Sequence, residues 1–332
     1  MSKIVRFHET GGPEVLKITD ETIGEPGPNE LRVRIQAIGL NRAEAMFRSG
    51  MYLEEPRTPA PIGYEAAAVV EALGEAVHGF EIGEPVCVIP AFSMNEYGVY
   101  AEQAIVPANA VVKRPPGLDA KTAAAVWMSY PTAWGALFDI ANMTFGDTVL
   151  ITAASSSVGL TAIQMANAVG ATPVAITRTD AKAEALKQAG AAHVIASEQQ
   201  DLVQEVMRIT DNQGARIVFD PIGGPILESL AAATARFGTI FQYGALSTEP
   251  TPFPLFAVLG KGITVRGYTL FEFITNPAKL AQCVDFVNKG LADGQFKPVI
   301  AKTFTLDNIV EAHRYMESNE QFGKIIVEVP GQ

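Results

Sequence analysis

The first third of the chain contains short strand-like patterns of apolar and polar positions. Residues 31–38 largely alternate between apolar and polar side chains, as expected of a strand with one buried face. Residues 66–72 and 85–90 form two further short apolar runs, and glycines and prolines separate these runs. The pattern predicts short strands and few long helices, which is typical of a small β-barrel.

The pattern changes near Ala120. Residues 120–141 have helical periodicity that is interrupted at 129–131, and strand-like and helix-like segments alternate from there on. Six parallel strands joined by crossover helices would form a doubly wound sheet. The predicted strands are 149–152, 174–177, 193–195, 216–219, 239–243 and 263–266, and the helices are 158–169, 181–189, 201–209 and 225–235.

A third pattern follows residue 267. It predicts a helix at 277–292, a strand at 302–306, a helix from Asp307 and a closing strand at 323–329 that returns to the first sheet. We therefore predict an α/β protein in which a β-rich domain is interrupted by an inserted doubly wound domain. Its expected segments are 1–125, 126–267 and 268–332, with the ligand site in the cleft between the domains.

The most informative segment is the turn between the first two strands of the inserted domain. Ala153 to Gly159 is a run of small residues between an apolar strand and an apolar helix, although the usual G-x-G-x-x-G is absent. Small side chains let the backbone approach a pyrophosphate, and a helix N-terminus offers N–H groups to it. We expect Ser156, Ser157, Val158 and Gly159 to surround the pyrophosphate.

The end of the next strand indicates which dinucleotide binds. NAD sites usually carry an acidic residue here, whereas this strand ends at Thr177 and is followed by Arg178. A guanidinium suits a phosphate, and Lys182 could add a second cation. The pattern favours NADPH over NADH, with Thr177, Arg178 and Lys182 near the 2′-phosphate. The alternative is that both cations are solvated surface charges.

The composition excludes several other classes of protein. A net charge of −11 argues against nucleic acid or an anionic membrane as the main partner, and no apolar run is long enough for a bilayer span. The N-terminal residues resemble no signal or transit peptide. The two cysteines, Cys87 and Cys283, are too few for a disulfide framework. We expect buried thiols and a cytoplasmic location.

With these residues in view, the chain resembles the medium-chain dehydrogenase/reductase superfamily, and within it the zinc-independent quinone oxidoreductase branch. The resemblance covers nearly the whole chain. It implies a GroES-like β domain that carries an inserted Rossmann domain. The matching stretches are Gly11–Leu16, Gly39–Glu44, Arg48–Tyr52, Thr132–Trp134, Ala153–Gly159, Phe219–Gly224, Gln242–Gly244 and Gly323–Lys324.

The resemblance also implies that this chain binds no zinc. Zinc alcohol dehydrogenases have a cysteine ligand near the position of Asn41 and a Gly-His-Glu tripeptide where this chain has Gly63-Tyr64-Glu65. The four-cysteine structural zinc loop is missing, and the four histidines have no ligand-like spacing. We therefore expect no metal site.

Without a metal to polarise it, the hydride acceptor has to be electrophilic by itself, as quinones and α,β-unsaturated carbonyls are. Resemblance assigns Asn41 to positioning the nicotinamide or its ribose, and Tyr52 matches the proton donor of 2-enoyl reductases. Tyr64 could hydrogen-bond an acceptor oxygen. The alternatives are a turn residue for Asn41, a packed loop aromatic for Tyr52 and a space-filling side chain for Tyr64.

Resemblance adds further residues on the cofactor side. Thr132 matches a residue beside the nicotinamide, and Tyr243, Gly244 and Ala245 end the fifth strand, where that ring is expected. Lys324 could reach the cofactor or could protect an exposed sheet edge. Arg48 could anchor the loop or the cofactor, or be a solvated charge.

These observations predict an NADPH-dependent, zinc-independent oxidoreductase that reduces quinones or activated alkenes. Two alternatives stay open, namely an enoyl thioester or enone reductase that uses Tyr52 as proton donor, and an NADPH-binding protein with little turnover. We also expect a homodimer through the edge strand 263–266, with Phe253, Phe256 and Leu259 as apolar contacts.

Overall fold

The computed structural model describes residues 1–330, which divide into two compact units. Unit 1 contains Met1–Met128 and the segment from Pro298 onward, and unit 2 contains Ser129–Lys297. The chain thus leaves unit 1 once and returns to it, as expected of an inserted domain.

The second domain boundary differs from the expected one. Residues 268–297 belong to unit 2, because Phe286 packs on Phe138 with ring centroids 4.7 Å apart and Phe296 packs on Tyr130 at 5.2 Å. Residues 331 and 332 of the expected third segment lie outside the described residues.

The strands are β1 Ser2–Arg6, β2 Lys17–Glu21, β3 Glu30–Gly39, β4 Glu65–Leu73, β5 Pro85–Val88, β6 Gln103–Pro107, β7 Val111–Lys113, β8 Thr148–Ile151, β9 Thr172–Thr177, β10 His193–Ala196, β11 Ala215–Asp220, β12 Thr234–Gln242, β13 Thr264–Gly267, β14 Ile300–Thr305 and β15 Lys324–Glu328. The α-helices are α1 Arg42–Arg48, α2 Ala120–Ala123, α3 Ser129–Trp134, α4 Ser157–Ala168, α5 Ala183–Gln188, α6 Leu202–Ile209, α7 Ile226–Ala233, α8 Leu255–Lys261, α9 Phe271–Ile274, α10 Pro277–Ala292 and α11 Ile309–Glu317. Short 3₁₀ turns lie at Pro13–Val15, Ala108–Ala110, Asp180–Lys182 and Leu306–Asn308.

Unit 1 is built on a seven-stranded sheet with the order β14-β15-β3-β4-β5-β7, in which β6 also pairs with β3. Strand β15 runs parallel to β14 and antiparallel to β3, with Val327 opposite Ile38. The last strand therefore returns to the first sheet, as predicted. The same pairing brings Lys324, near the C-terminus, to the end of β3 where the chain turns into α1.

Unit 2 contains six parallel strands in the order β10-β9-β8-β11-β12-β13. The first two strands of unit 2 in chain order, β8 and β9, lie beside each other. The fourth strand, β11, lies on the other side of β8. The order therefore reverses at β8, and ligands of such sheets bind at the carboxyl ends of the strands at this switch point. The strands are apolar on both faces because helices cover both faces; Leu150, Val174, Val218 and Ile240 are fully buried.

Two elements differ clearly from the sequence prediction. The interruption of the helical stretch at 120–141 was expected at 129–131, but it lies at 124–128, because α2 ends at Ala123 and α3 begins at Ser129. Pro131 lies in the first turn of α3, where a proline removes no helical hydrogen bond. Helix α3 then continues as a π-helix over Gly135–Ile140. Strand β12 begins at Thr234 rather than 239, and the exposed Phe237 with φ +61° breaks the expected alternation.

One of the two edges of the unit 2 sheet is β13, which pairs only with β12 among the described strands. Helix α8, which precedes it, has no buried residue, and its Phe256 is 86% exposed. Phe253 and Leu259 are exposed as well. No helix within residues 1–330 is long and apolar enough to cross a membrane.

Candidate functional site

The turn after β8 forms a helix N-terminus suited to an anion. Ser156 is the N-cap of α4, and its hydroxyl oxygen accepts the N–H of Gly159 at 3.1 Å. The N–H groups of Ser157 and Val158 have no protein acceptor within residues 1–330. These two donors, at the positive end of a 12-residue helix, are the groups that would face a phosphate.

Gly159 has a packing role in this turn. A Cβ atom there would lie 2.6 Å from the carbonyl oxygen of Ala154, so only glycine lets the helix approach the turn this closely. Ala153 has φ +45°, a left-handed conformation that is costly for a residue with a side chain. Ala153, which opens the turn after β8, is therefore strained.

The end of β9 carries the two predicted cations. The Arg178 side chain is exposed and makes no hydrogen bond or ion pair with any residue from 1 to 330. The Lys182 ammonium is half-buried and donates to the Ser155 hydroxyl at 3.3 Å, so it faces the turn after β8. Ser155 is a polar residue of this site that the sequence motif did not single out.

The carboxyl end of β11 is organised by a buried carboxylate that sequence reasoning missed. Asp220 accepts the Thr152 hydroxyl and the N–H groups of Ile222 and Gly223, at 3.1 and 2.8 Å. Burial raises its pKa, and these hydrogen bonds act in the opposite direction. Asp220 thus ties the end of β8 to the glycine turn that follows β11.

The end of β12 carries the predicted nicotinamide residues. The Tyr243 ring stacks on Phe219 with centroids 4.0 Å apart, and its buried hydroxyl has no partner among the described residues. The Oε1 atom of Gln242 is likewise buried without a partner there. Gly244 is forced by a close approach, because a Cβ atom would lie 2.8 Å from the Pro221 oxygen. Ala245 is exposed.

Thr132 is buried in α3, also within unit 2. The structure thus places all the unit 2 candidates on α3 or at the carboxyl ends of parallel strands. Their assignments to individual parts of the dinucleotide stay predictions.

In unit 1, Asn41 is the N-cap of α1 and its side chain is fully engaged. Its Nδ2 atom donates to the Gly39 oxygen at 2.9 Å and to Glu44 Oε1 at 3.2 Å, and its Oδ1 atom accepts from Lys324 Nζ at 2.6 Å. Both amide hydrogens therefore have acceptors, and Asn41 can meet a ligand only as an acceptor through Oδ1.

Lys324 is held in a buried ion pair. Its side chain is 1% exposed, and Nζ lies 2.5 Å from Glu65 Oε2. A Cβ atom on Gly39 would lie 2.6 Å from Lys324 Cε, so this glycine makes room for the pair. The suggestion that Lys324 protects a sheet edge is wrong, since β15 lies between β14 and β3.

Glu44 connects the candidates of unit 1 and was not predicted. Its carboxylate accepts the N–H of Asn41 at 2.6 Å, the N–H of Tyr64 at 3.0 Å and the hydroxyl of Tyr100 at 2.6 Å. Burial raises its pKa, which these donors partly offset. The Asn-x-x-Glu spacing of a capping box was the available sequence signal.

Arg48 is a buried anchor. Its guanidinium donates to the Gly11 oxygen at 3.1 Å, to His313 Nδ1 at 2.9 Å and to Glu317 at 2.6 Å. Because arginine only donates, His313 accepts at Nδ1 and carries its hydrogen on Nε2, facing Tyr100. Burial and the Arg48 charge lower the pKa of His313 to about 3. The contacts favour the loop-anchoring alternative for Arg48 over a solvated charge.

Tyr52 and Tyr64 lie side by side. Their ring centroids are 6.4 Å apart, and their hydroxyls share a hydrogen bond. Tyr64 is buried, whereas Tyr52 is half-buried. Burial raises the pKa of both phenols, which keeps them protonated at neutral pH. The site of unit 1 thus presents two neighbouring phenol hydroxyls.

No group of three or more His, Cys, Asp or Glu side chains among residues 1–330 could hold a metal ion.

The comparisons with known proteins agree with this arrangement. The family described as alcohol dehydrogenase GroES-like domain matches residues 27–116, and the family described as zinc-binding dehydrogenase matches residues 157–289. The two matches fall on unit 1 and unit 2 respectively. The chain has the fold of a medium-chain dehydrogenase/reductase.

Similar proteins indicate the branch of the superfamily to which the chain belongs. The chain is 31% identical to a quinone oxidoreductase of Pseudomonas aeruginosa over 98% of its own length and 99% of that protein. It is 30% identical to a 2-haloacrylate reductase of Burkholderia sp., covering 97% of each chain. The crystal structure of Escherichia coli quinone oxidoreductase complexed with NADPH superimposes with a TM-score of 0.92 at 28% identity, over 98% of this chain and 99% of that one. The protein belongs to the quinone oxidoreductase branch of this superfamily.

Proposed function

We propose that the protein is an NADPH-dependent oxidoreductase that transfers a hydride to quinones or activated alkenes. The observation that carries the proposal is the pair of phenols, Tyr52 and Tyr64, in a chain that matches a quinone oxidoreductase and a 2-haloacrylate reductase over almost its whole length. Neither phenol polarises a substrate as a metal would, so the acceptor has to be electrophilic by itself.

The residues of unit 2 fit a phosphorylated dinucleotide. Ser157 and Val158 offer two N–H donors at a helix N-terminus, and Arg178 offers a guanidinium that nothing within residues 1–330 engages. We assign the pyrophosphate to the helix and the 2′-phosphate to Arg178, with Lys182 and Ser155 beside it. The unpartnered Oε1 of Gln242 is an acceptor for an amide N–H at the end of β12. Bound NADPH supplies the hydride.

In unit 1, Asn41 contributes to positioning the ligand, and Tyr52 supplies a proton. Asn41, held by Lys324 and Glu44, keeps an acceptor oxygen at the start of α1. Tyr52 holds a proton that an enolate can take at its α-carbon, whereas a hydroquinone anion can take its protons from water. The phenol pair therefore favours activated alkenes, including enones and enoyl thioesters, as a second acceptor class beside quinones.

A panel of acceptors tests this function. Purified protein should oxidise NADPH with benzoquinone, naphthoquinone, 2-chloroacrylate or an enoyl thioester, and should keep its rate in a chelator because Asn41 and Tyr64 replace ligand residues. Binding of NADPH without oxidation by any acceptor would contradict the proposal and favour a binding protein with little turnover. Stoichiometric zinc that activity requires would also contradict it.

We further propose a homodimer through β13 and α8, in the cytoplasm. Support for the dimer comes from the open edge of β13 and the exposed Phe253, Phe256 and Leu259, which a two-fold axis could cover. Support for a reducing compartment comes from two buried free thiols. Light scattering should give about twice the 35.4 kDa chain mass, and a monomer at micromolar concentration would exclude the dimer.

A further inference from the structure

The loop after α1 presents Tyr52 beside a second phenol. Gly50, with φ +74°, turns the chain after the helix, and the Tyr52 ring contacts Phe47 edge-on with centroids 6.4 Å apart. On its other side it contacts Tyr64, which in turn packs on Phe92 at 5.5 Å. Tyr52 therefore lies in a row of aromatic rings, with its neighbour Tyr64 more deeply buried than itself.

The backbone of Tyr64 is held in place by contacts that do not involve the packing of its ring. Its N–H donates to the buried Glu44 carboxylate at 3.0 Å. The preceding Gly63 has φ +106°, and a Cβ atom there would lie 2.3 Å from the Tyr100 ring. Tyr100 itself donates to Glu44 at 2.6 Å. The backbone that carries Tyr64 is thus locked against the polar core of unit 1.

The neighbouring hydroxyls of Tyr52 and Tyr64 share one hydrogen bond. For the Tyr52 hydrogen to reach a substrate, Tyr64 has to donate and Tyr52 has to accept in this hydrogen bond. The carboxylates of Glu54 and Glu44 raise both pKa values. With Tyr64 as donor, the hydroxyl hydrogen of Tyr52 is left for a different acceptor.

We propose that Tyr64 is a positioning residue that holds the Tyr52 oxygen and stabilises its phenolate while Tyr52 protonates an activated alkene. This inference rests on the proposed function. The hydride adds to the β-carbon, the electron pair of the double bond forms an enolate, and the enolate α-carbon takes the Tyr52 proton as its O–H bond breaks. The Tyr52 phenolate then keeps the hydrogen bond from Tyr64 and recovers a proton from water.

Matched variants separate this role from packing. Tyr64→Phe keeps the ring and removes the hydroxyl, and Tyr97→Phe is the control, because Tyr97 lies in the same aromatic row, at 5.8 Å from Phe92, but donates to Glu30. Tyr64→Phe should lower kcat for 2-chloroacrylate by about 10- to 100-fold, the effect of a lost hydrogen bond to a charged group. Quinone turnover should fall much less, and Tyr97→Phe should change neither.

A double-mutant cycle tests whether Tyr64 acts through Tyr52. In a Tyr52→Phe background no phenolate forms at residue 52, so adding Tyr64→Phe should cause no further loss of alkene turnover. Independent losses that multiply, or equal losses for alkene and quinone, would overturn the proposal. Unchanged alkene turnover in Tyr64→Phe would overturn it as well.

A titration tests, without a turnover assay, whether Tyr64 stabilises the Tyr52 phenolate. A difluorotyrosine placed at residue 52 and followed by fluorine NMR should titrate about one to two pH units higher in the Tyr64→Phe protein than with Tyr64 present. An unchanged titration would overturn the proposal. If the protein reduces no acceptor, the proposed function fails, while this titration still shows whether Tyr64 stabilises the phenolate.

Discussion

The polar groups around Asn41 in unit 1 are satisfied by one another, whereas several candidate ligand-binding groups of unit 2 are not. Asn41, Glu44, Lys324 and Glu65 bond among themselves, so their geometry exists before any ligand arrives. In unit 2, the N–H groups of Ser157 and Val158 and the guanidinium of Arg178 have no protein acceptor within residues 1–330. The difference separates residues that fix a geometry from residues that bind an anion.

The largest expected effect is the loss of stability caused by breaking the ion pair of Lys324 with Glu65 in unit 1. Lys324→Met leaves the Glu65 carboxylate buried without its counter-charge, which should cost about 3–5 kcal/mol of unfolding free energy. Urea denaturation measures the loss. Lys121→Met is the control, because Lys121 pairs with Glu328 at 3.0 Å on the surface, where a pair contributes about 0–1 kcal/mol. Equal effects of the two variants would show that the buried pair is no stronger than a surface pair.

The next largest effect concerns the affinity of unit 2 for NADPH. Arg178→Ala should weaken NADPH by about 1–3 kcal/mol and leave NADH nearly unchanged, because only NADPH carries the 2′-phosphate. Fluorescence titration with each dinucleotide measures both affinities. Arg208→Ala, which breaks a surface pair with Glu205, should affect neither. Equal wild-type affinity for the two dinucleotides would contradict the assignment of Arg178.

A third prediction uses the buried His313. Its folded-state pKa of about 3 lies below the usual 6.5, so the unfolded chain takes up the proton first as the pH falls. The contribution of neutral His313 is complete above pH 6.5 and is lost towards pH 3, by at most about 1.4 kcal/mol per pH unit.

The raised pKa of Glu44 acts in the opposite sense in the acidic range, so His313 has to be isolated. His313→Gln keeps an acceptor and a donor but does not titrate. The wild type should lose stability more steeply than this variant between pH 6.5 and 5, as followed by thermal unfolding. Parallel curves would show that His313 does not titrate between the two states as described.

The smallest expected effect is a gain in the free energy of unfolding. Ala153→Gly relieves a left-handed backbone and should stabilise the protein by about 0.5–1 kcal/mol. The same change at the next residue, Ala154→Gly, removes a buried methyl group without relieving strain and should destabilise. Denaturation of both variants checks the sign, and a loss for Ala153→Gly would show that the turn holds no such strain.

The sequence predicted the doubly wound sheet well because buried parallel strands are short apolar runs between regular helices. Helix 277–292 was confirmed at both ends. The glycine-poor turn after β8 was located correctly, although Ser155 was missed because no motif marks it. Strand β12 was predicted to begin five residues too late, because the exposed Phe237 interrupts the pattern of its first half.

The polar core of unit 1 could not be predicted in the same way. Glu44 looks like an ordinary helix-cap residue until the fold buries it, and the same holds for the strand-end residue Asp220 in unit 2. Lys324 was named, but its partner Glu65 is separated from it by 259 positions, and no local pattern joins them. The registers of β15 and of β4 against β3 bring the two together, because Ile326 and Glu65 both lie opposite Gly39.

The pairing of Glu65 with Lys324 also constrains the order of events on the ribosome. Glu65 is synthesised early, but its ammonium partner is added only after all of unit 2 has been made. A nascent chain that ends before β15 would have to bury an uncompensated carboxylate to complete unit 1. Unit 2, a continuous segment, has no such dependence, so we expect it to reach its native state first although its translation begins later.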